Sequence, residues 1–417
     1  MLAHSGNGRT SSRVEPVEPC WLEVSLDDVR HNVQALKRFV GPRTGLIAVV
    51  KADGYGLGAV PMARTALEAG ATWLGVARIE EGASLRRAGI EAPILHLASF
   101  QPAQARAMVQ YRLTPTIADV ETARVLAAAV PFGQELAIHL KVDTGLTRYG
   151  AQAGELPALV NELLRSSRLR IEGLSTHFAT ADEPDLSYAR CQLERFRALA
   201  AHIRALGAAP TLYHAANSAA TLALPEAHFD LVRPGITLSG HYPSTAGSRR
   251  LSLRPAVSLR ARLARVYELP AGVPIGYGRT FVATRRTRAA LVPAGYADGL
   301  PRAHSNRAVV LIHGQRAPLV GRVSMDQCVA DVTAIDGVQP GDEVTLIGRQ
   351  GADEIGLDEY ASWSDTIGHE ALCRIGSRVP RYYRQAGHLS RKNGVEGWLA
   401  EPAPPALAPP DACASLT

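Results

Sequence analysis

Apolar and polar positions follow two different rhythms along the chain. From Trp21 to about Leu251, short apolar runs rich in branched residues alternate with longer segments in which alanine, leucine and arginine recur at a helical period. The short runs predict eight strands, at residues 45–50, 73–76, 94–97, 113–117, 136–142, 169–175, 211–214 and 229–233. The segments between them predict helices, which include residues 60–68, 80–87, 120–129, 156–164 and 186–206.

This alternation predicts an α/β fold built on a parallel sheet. Eight parallel strands with crossover helices in about 230 residues meet the requirement for a closed (β/α)8 barrel of the TIM type. A doubly wound open sheet is the alternative that the same alternation allows.

The rhythm changes after about Leu253. Apolar strands separated by turn residues follow, at residues 256–267, 289–293, 308–312, 317–323, 328–332 and 343–347, with one short helical element near residues 363–372. The sequence therefore predicts a barrel over residues 19–252 and a C-terminal, mostly β domain over residues 253–398. Residues 1–18 and the proline-rich residues 399–417 lack periodic apolar spacing, and we expect both to be disordered tails.

Composition excludes several classes of protein. Of the 417 residues, 46% are hydrophobic and 20% are charged, which is typical of soluble globular proteins. The net charge of +6 is spread along the chain, so nucleic acid is not an expected partner, whereas small anionic ligands are compatible with it. The five cysteines are far apart and never in C-x-x-C spacing, which argues against a disulfide frame and a thiolate zinc site.

The same features indicate the cellular compartment. No apolar region of a secretory signal precedes Glu18, and no run approaches the roughly 20 apolar residues of a membrane span. We therefore expect a cytoplasmic protein with reduced thiols, no bound metal and no membrane partner.

Polar side chains follow most of the predicted barrel strands. Barrel enzymes carry their chemistry at the carboxyl ends of the strands, so these positions form the candidate site. The first strand ends at Lys51, and the ends of strands five to eight carry Lys141, Asp143, Thr176, His177, His214, Asn217, Arg233 and Gly235. Together these endings predict one site at one rim of the barrel.

Lys51 follows an apolar run and precedes a glycine-rich loop. An amine held there is partly desolvated, which lowers its pKa and suits it to form an imine with an aldehyde. A lysine that extends its charge to solvent is the alternative interpretation.

Residues 217–218 and 235–236 stand in the loops where barrels frequently bind phosphate. A phosphate-bearing aldehyde connects both observations, and pyridoxal 5′-phosphate is the candidate cofactor. Nucleotides are disfavoured, because neither a P-loop nor a strand-linked G-x-G-x-x-G is present.

An ordered set of motifs resembles the alanine racemases. The motifs are AVVKADGYGLG (48–58), KVDTGLTR (141–148), THFA (176–179), NSA (217–219), RPGI (233–236), GYG (276–278), GYADG (295–299) and VSMDQ (323–327). Their order and spacing match that family from about Trp21 to Tyr383. Each motif alone is weak evidence, whereas the ordered set is highly specific.

The resemblance implies a homodimeric, pyridoxal-phosphate-dependent racemase that interconverts L- and D-alanine and supplies D-alanine for peptidoglycan. Lys51 would hold the cofactor and act as the base on one face of the substrate. Tyr277, contributed by the β domain of the partner subunit, would act on the opposite face. Inversion at Cα needs two such groups, because a proton leaves one side and arrives from the other.

The resemblance also implies an electronic role for Arg233. His177 and Arg233 would belong to the network that supports the phenol of Tyr277. Arg233 would also donate a hydrogen bond to the pyridine nitrogen of the cofactor without transferring its proton, because a guanidinium stays protonated. The ring would then remain a weak electron sink, which favours racemisation over transamination.

Further positions would bind phosphate or substrate by the same resemblance. The residues around the phosphate would be Tyr55, Asn217, Ser218, His214 and the backbone of Gly235 and Ile236. The substrate carboxylate would meet Arg148 and the backbone of Met325. Supporting positions would be Lys141, which is carbamylated in some members and then orients the arginine, and also Asp326 and Tyr296. The substrate entrance would be lined by Tyr296, Arg302, Arg322 and Asp182.

Some positions depart from the family pattern, and three other functions stay open. Leu146 and Thr147 stand where Met-Gly is common, Ser239 stands where tyrosine is usual, and Ser377 replaces an aromatic residue. These changes bear on cofactor affinity or substrate range. A broad-specificity or serine racemase would use the same catalytic residues. A barrel decarboxylase is disfavoured, because the motifs of that family are not evident. A non-catalytic cofactor-binding protein is also disfavoured, because such proteins are single barrels, whereas this sequence predicts a β domain after the barrel.

Overall fold

The chain enters the barrel only after one strand that belongs elsewhere. The computed structural model describes residues 16–244 and 250–392. Strand β1 (Cys20–Ser25) pairs with strands of the C-terminal half and leads into helix α1 (Leu26–Val40). Ser25 caps this helix by accepting a hydrogen bond from the backbone N–H of Asp28, and acidic residues in the first turn and basic residues in the last complement its dipole.

Eight parallel strands then form a barrel, as the apolar runs predict. They follow one another round the sheet in sequence order, and the last strand returns beside the first. The strands are β2 (Gly45–Val49), β3 (Trp73–Val76), β4 (Ile94–His96), β5 (Thr114–Ile117), β6 (Leu136–Lys141), β7 (Leu169–Ser175), β8 (Leu212–His214) and β9 (Leu231–Val232). The backbone N–H of Arg233 donates to the carbonyl of Ala216 across the seam between β8 and β9. The barrel prediction is confirmed, and the open sheet is wrong.

Helices connect these strands and cover the barrel. A short left-handed turn, α2 (Lys51–Tyr55), follows β2. The other helices are α3 (Ala59–Glu68), α4 (Ile79–Arg87), α5 (Ala105–Gln110), α6 (Val120–Ala129), α7 (Leu156–Arg165), α8 (Ser187–Ala205) and α9 (Ser218–Ala223). Because both faces of the parallel sheet are covered, most residues of β2 are buried, which explains its continuous apolar run.

The C-terminal half is mostly β, as predicted. Its strands are β10 (Val257–Arg262), β11 (Arg265–Leu269), β12 (Pro274–Ile275), β13 (Phe281–Val282), β14 (Thr287–Val292), β15 (Val309–Ile312), β16 (Gln315–Pro318), β17 (Cys328–Asp331), β18 (Glu343–Gln350), β19 (Asp353–Ile355), β20 (Arg381–Gln385) and β21 (His388–Lys392). The large sheet has the order β16-β15-β18-β10-β1-β20-β21, with β19 beside β18. A three-stranded sheet, β11-β14-β17, and the β12-β13 hairpin complete it.

Three details differ from the sequence-based predictions. The long strand predicted at residues 256–267 is two strands, because the chain passes from the large sheet to the small one near Leu263. The single helix predicted at residues 363–372 is replaced by α10 (Leu357–Ser362) and α11 (Gly368–Cys373), since Asp365 between them has a left-handed φ of 53°. Strand β1 lies in the sheet of the C-terminal half, although its residues fall inside the predicted barrel domain.

The other domain bounds stay predictions. Of the predicted N-terminal tail, residues 1–15 lie outside the described residues, and Glu18 accepts a hydrogen bond from the hydroxyl of Tyr382. The predicted C-terminal tail, residues 399–417, also lies outside them. Within residues 16–244 and 250–392, no helix combines the length and the apolar character that a membrane crossing requires.

Candidate active site

The predicted polar strand ends meet in one cavity of about 880 Å³ at the carboxyl rim of the barrel. Among the residues that line it are ten of the predicted site positions, namely Lys51, Tyr55, Lys141, Arg148, His177, His214, Asn217, Ser218, Arg233 and Gly235. Asp182, predicted at the entrance, lines the same cavity. The structure therefore brings together side chains from strands that are far apart in sequence, as the barrel topology requires.

Lys51 lies where the backbone reverses its handedness. Ala52, Asp53 and Gly54 have φ angles of 51°, 53° and 64°, so two residues with side chains adopt the left-handed region. Such strain persists only where surrounding contacts impose it. Burial lowers the pKa of Lys51 and the positive charge of Arg148 lowers it further, which increases the neutral amine fraction that a nucleophile needs.

One carboxylate holds this turn from the neighbouring helix. Glu81 of α4 accepts a hydrogen bond from the backbone N–H of Ala52 with one oxygen, at 2.6 Å. Its other oxygen accepts from Ala77 and Arg78, at 2.8 and 3.0 Å. A single side chain thus ties the turn after Lys51 to the end of β3, and so fixes where the amine enters the cavity.

We expect Glu81→Gln to reduce activity several-fold and to lower the thermal midpoint. The amide keeps one acceptor oxygen but turns N–H groups toward backbone N–H donors, and loss of a hydrogen bond to a charged group costs about 1.5–3 kcal/mol, less where the bond is exposed as it is at Ala52. Thermal unfolding and steady-state rates measure both effects. Glu80→Gln is the matched control, because its side chain is exposed and makes none of the hydrogen bonds described for the turn. Equal behaviour of the two variants would show that Glu81 does not hold the turn.

The C-terminal domain supports the same turn from the other side. Arg381 donates to the carbonyl of Gly56 at 3.0 Å, and the hydroxyl of Tyr383 donates to that of Leu57 at 2.8 Å. A Cβ atom at Gly58 would lie 2.0 Å from the hydroxyl oxygen of Tyr383, so only glycine allows this approach. The position of Lys51 therefore depends on residues more than 300 positions later in the chain.

Hydroxyl and amide groups surround a second part of the cavity. The backbone N–H of Gly235 donates to Ser218 Oγ at 2.8 Å, and a Cβ atom at Gly235 would lie 2.1 Å from the hydroxyl oxygen of Tyr55. Asn217 caps α9 by accepting from the N–H of Ala220, and Ile236 is buried next to this group. Burial raises the pKa of Tyr55, so its hydroxyl stays a donor. These groups suit a phosphate.

Arg233 is buried at the centre of a hydrogen-bond network. Its Nη1 donates to His214 Nδ1 at 2.8 Å, and its Nη2 approaches His177 Nδ1 at 3.1 Å. The carbonyls of Thr176 and Ala215 accept from the same Nη2. Burial lowers the pKa of Arg233 to about 10, which leaves the guanidinium charged at neutral pH. Burial, followed by this charge, lowers the pKa of His177 well below its usual value, so the ring is neutral.

Lys141 and Arg148 lie on another wall. The ammonium of Lys141 stands 5.1 Å from the centre of the Tyr149 ring, and burial, with Arg233 and Arg148, lowers its pKa to about 7. Asp143 accepts three backbone N–H groups of the loop before Arg148. Thr147 in this loop has a φ of 56°, a conformation that glycine adopts more easily, so its departure from the Met-Gly pattern costs strain.

Five predicted site residues do not line this cavity: Ile236 is buried beside it, and the other four lie on the C-terminal domain. Tyr277, Tyr296 and Met325 are 69%, 44% and 52% exposed, and Asp326 is exposed in an ion pair of 2.8 Å with Arg378. They share one surface of the C-terminal domain: Tyr296 bonds to the backbone of Ser324, next to Met325, and the glycines beside Tyr277 pack on Arg322. We call residues 276–278, 296 and 325–326 the tyrosine surface.

A second, smaller hollow of about 320 Å³ lies beside this surface. Arg302 and Arg322, both predicted at the substrate entrance, line it together with Arg307. Of the other two predicted entrance residues, Asp182 lies in the barrel cavity and Tyr296 lies on the tyrosine surface. Within one chain the predicted entrance is therefore split between two places.

Two family models match the chain over most of its length. The model of the alanine racemase N-terminal domain matches residues 24–243, and that of the alanine racemase C-terminal domain matches residues 256–383. The chain belongs to the alanine racemase family. It is therefore an isomerase that acts on alanine, and the resemblance of its motifs is confirmed.

Individual alanine racemases agree with this membership. That of Symbiobacterium thermophilum is 48% identical over 89% of this chain and 98% of its own, and that of Desulforamulus reducens is 46% identical over 88% and 99%. The solved alanine racemase of Bacillus anthracis, with bound L-Ala-P, has a TM-score of 0.87 and 36% identity over 91% of this chain and 99% of its own. That of Streptomyces lavendulae has a TM-score of 0.83 and 41% identity over 89% and 98%.

Sequence reasoning missed several residues of this alanine racemase site. His369 and Cys373 of α11 line the cavity, and the Tyr55 and His369 rings lie 6.0 Å apart. Gln192 is fully buried and bonds to the backbone of His177 and Ala179. The sequence shows only a glutamine within a predicted helix, and the burial that marks Gln192 as part of the site is visible only in the structure. Within residues 16–244 and 250–392, no cluster of three or more histidine, cysteine or carboxylate side chains is placed to hold a metal.

Proposed function

We propose that the chain racemises alanine with pyridoxal 5′-phosphate, using Lys51 and Tyr277 of the partner subunit as acid and base. The observation that carries this proposal is the composition of the barrel cavity. It combines an amine of lowered pKa, Lys51, with Arg233 and with hydroxyl and amide donors at Tyr55, Ser218 and Gly235. We propose further that the D-alanine formed is a building block of peptidoglycan.

The residues present fit this cofactor. Bound pyridoxal phosphate supplies an aldehyde that joins an amine and a ring that withdraws electrons from the substrate Cα. Lys51 would hold the aldehyde carbon. Tyr55, Ser218 and the backbone at Gly235 and Ile236 would hold the phosphate, since the Cβ-free surface of Gly235 lets Tyr55 approach.

The chain's own residues would then move the protons. Lys51, as a neutral amine, removes or returns a proton on one face of Cα, and the phenol of Tyr277 does so on the other. Arg148 binds the substrate carboxylate, with the Met325 backbone, Lys141 and Asp326 in support. Arg233 keeps a proton on its guanidinium and donates a hydrogen bond to the ring nitrogen, which limits electron withdrawal and favours return of the proton to Cα.

The tyrosine surface supports a homodimer with shared sites. Tyr277 does not line the cavity that holds Lys51, and its ring is 69% exposed, as is much of the Met325 side chain nearby. Exposed apolar groups gathered on one face are typical of protein interfaces. In a twofold dimer this surface of each subunit would cover the cavity of the other, and Tyr296, Arg302 and Arg322 would meet Asp182 there.

The direct test of the proposed function is a racemisation assay. Purified protein supplied with pyridoxal phosphate should convert L-alanine to an equal mixture of L- and D-alanine, with no loss of amino acid. Release of carbon dioxide would indicate a decarboxylase instead. Faster conversion of serine than of alanine would indicate a different substrate preference.

Gly235→Ala should weaken cofactor binding by about tenfold or more. The new Cβ would lie 2.1 Å from the hydroxyl oxygen of Tyr55, so that hydroxyl must leave its place, and a lost hydrogen bond to a charged group costs about 1.5–3 kcal/mol. Titration of the apoprotein with pyridoxal phosphate measures the change. Gly154→Ala is the control, because a Cβ there meets no atom within 4 Å. Unchanged affinity in Gly235→Ala would contradict the proposed phosphate site.

A further inference from the structure

One buried histidine has no part in the proposed reaction. His139 of β6 is fully buried, and its Nδ1 lies 2.7 Å from Nε2 of His214. The other ring nitrogen of His214 receives the hydrogen bond from Arg233. On the far side, Nε2 of His139 lies 3.7 Å from a carboxylate oxygen of Glu172, on β7. Four side chains thus form one line from the cavity through the barrel.

Elementary hydrogen-bond chemistry gives this line a direction. A guanidinium has only donors, so Nδ1 of His214 must be an unprotonated acceptor. The single proton of the neutral His214 ring is then on Nε2 and is donated to Nδ1 of His139. By the same reasoning, the proton of His139 is on Nε2, which faces the Glu172 carboxylate at 3.7 Å, an electrostatic contact beyond direct hydrogen-bond distance. Every donor in the line therefore points from the arginine to the carboxylate.

The charges at the two ends are complementary. The groups that accept from Arg233 are backbone carbonyls and histidine nitrogens, all of them neutral, and no described carboxylate forms an ion pair with it. The nearest anion in line is Glu172, whose pKa is lowered by its interaction with His139 and then by Arg170. A carboxylate behind a histidine orients the ring and raises the basicity of its other nitrogen, which strengthens the bond to the cation beyond it.

The barrel is shaped to hold this line. A Cβ atom at Gly173 would lie 2.5 Å from Nδ1 of His139, so the absence of a side chain makes room for the ring. The Trp73 ring packs on the other side, with its centre 5.3 Å from that of His139. Buried polar groups destabilise a core unless they are paired, so an imidazole enclosed in this way indicates a specific role.

We propose that Glu172 and His139 are positioning residues for Arg233, acting through His214 to orient the guanidinium and to stabilise its charge. The inference rests on the proposed function only for its effect on catalysis. Loss of the Glu172 charge makes the guanidinium a better proton donor to the ring nitrogen. The ring then withdraws more electron density, so more turnovers end with a proton on the cofactor carbon. Water then releases the keto acid, and the amino group stays on the cofactor.

The first experiment concerns the proton positions and needs no activity. Nitrogen-15 spectra of the full-length protein, labelled at histidine, should show His139 and His214 only as neutral rings protonated at Nε2. A proton on Nδ1 of either ring would overturn the proposal. The Nδ1 resonance of His214 should shift in Glu172→Gln and not in Glu135→Gln. This control is matched, because Glu135 and Glu172 both pair with Arg170 and only Glu172 faces His139.

The second experiment measures how often the holoenzyme forms a keto acid instead of racemising alanine. The ratio of keto acid formed to alanine racemised should rise about tenfold in Glu172→Gln, which corresponds to one pKa unit at Arg233. It should stay unchanged in Glu135→Gln and return toward the original value in Glu172→Asp. Equal ratios in the two glutamine variants would overturn the proposal.

A variant of the exposed Arg170 keeps the test decisive if Glu172→Gln fails to fold. Arg170→Gln removes the cation that competes for Glu172, so the His214 resonance should shift in the opposite sense and the keto acid ratio should not rise. No shift would overturn the inference. A protein that racemises no amino acid but shows the expected proton positions would contradict the proposed function and leave the line of side chains intact.

Discussion

Lys51→Ala is expected to abolish racemisation, with a loss of at least about 10³-fold, because it removes both the amine that holds the cofactor and one of the two proton-transfer groups. The visible absorbance of lysine-bound pyridoxal phosphate should disappear with the activity. Spectra before and after removal of exchangeable cofactor measure this directly.

The cavity contains a second lysine that makes this test specific. Lys141 also lines it and also has a lowered pKa. Lys141→Ala should keep the absorbance band, and Lys37→Ala, outside the cavity, should keep both band and activity. A band that persists in Lys51→Ala and disappears in Lys141→Ala would show that Lys141 holds the cofactor, and would contradict the role proposed for Lys51.

Tyr277→Phe is expected to keep the cofactor and to lose about 10²–10⁴-fold in activity, the usual contribution of one acid–base group. Only the hydroxyl is removed, and the residue is 69% exposed in its own chain, so folding should be unaffected. Steady-state rates in both directions measure the loss.

Tyr267→Phe is the control for this variant, since it removes a hydroxyl from β11 of the same domain. Exchange of the Cα hydrogen with deuterated solvent separates loss of the second base from loss of all proton transfer. Exchange without inversion should survive in Tyr277→Phe, because Lys51 still removes and returns a proton on its own face. Near-normal racemisation by Tyr277→Phe would reject its assignment as the second base.

Much of the fold follows from local pattern. The eight barrel strands lie within a residue or two of the apolar runs, because buried parallel strands need continuous branched residues on both faces. The cavity residues could be predicted for a related reason, since the topology gathers the carboxyl ends of those strands wherever they are in sequence. Lys51 and Arg233 are therefore visible in the sequence without any contact map.

Other features depend on contacts that local pattern does not encode. Strand β1 pairs with β10 and β20 of the C-terminal sheet, which lie more than 200 residues later. No local pattern around β1 reveals partners so far away in the sequence. The support of the Lys51 turn by Arg381 and Tyr383 is equally remote. Glu81 looks like any first-turn acid of a helix, and His139 looks like a polar interruption of a strand. Their roles depend on three-dimensional neighbours.

The most direct test of the shared site is a mixed dimer. Lys51→Ala and Tyr277→Phe subunits are co-expressed with different tags and purified through both tags. If the site is shared as proposed, one cavity of each mixed dimer carries both changes and the other carries neither. If Tyr277 acts across the interface, these dimers should recover about half of the unmodified activity, since one of two equivalent sites is intact. If each subunit uses its own Tyr277, both cavities are damaged, and mixed dimers as inactive as the parent variants would contradict the proposal.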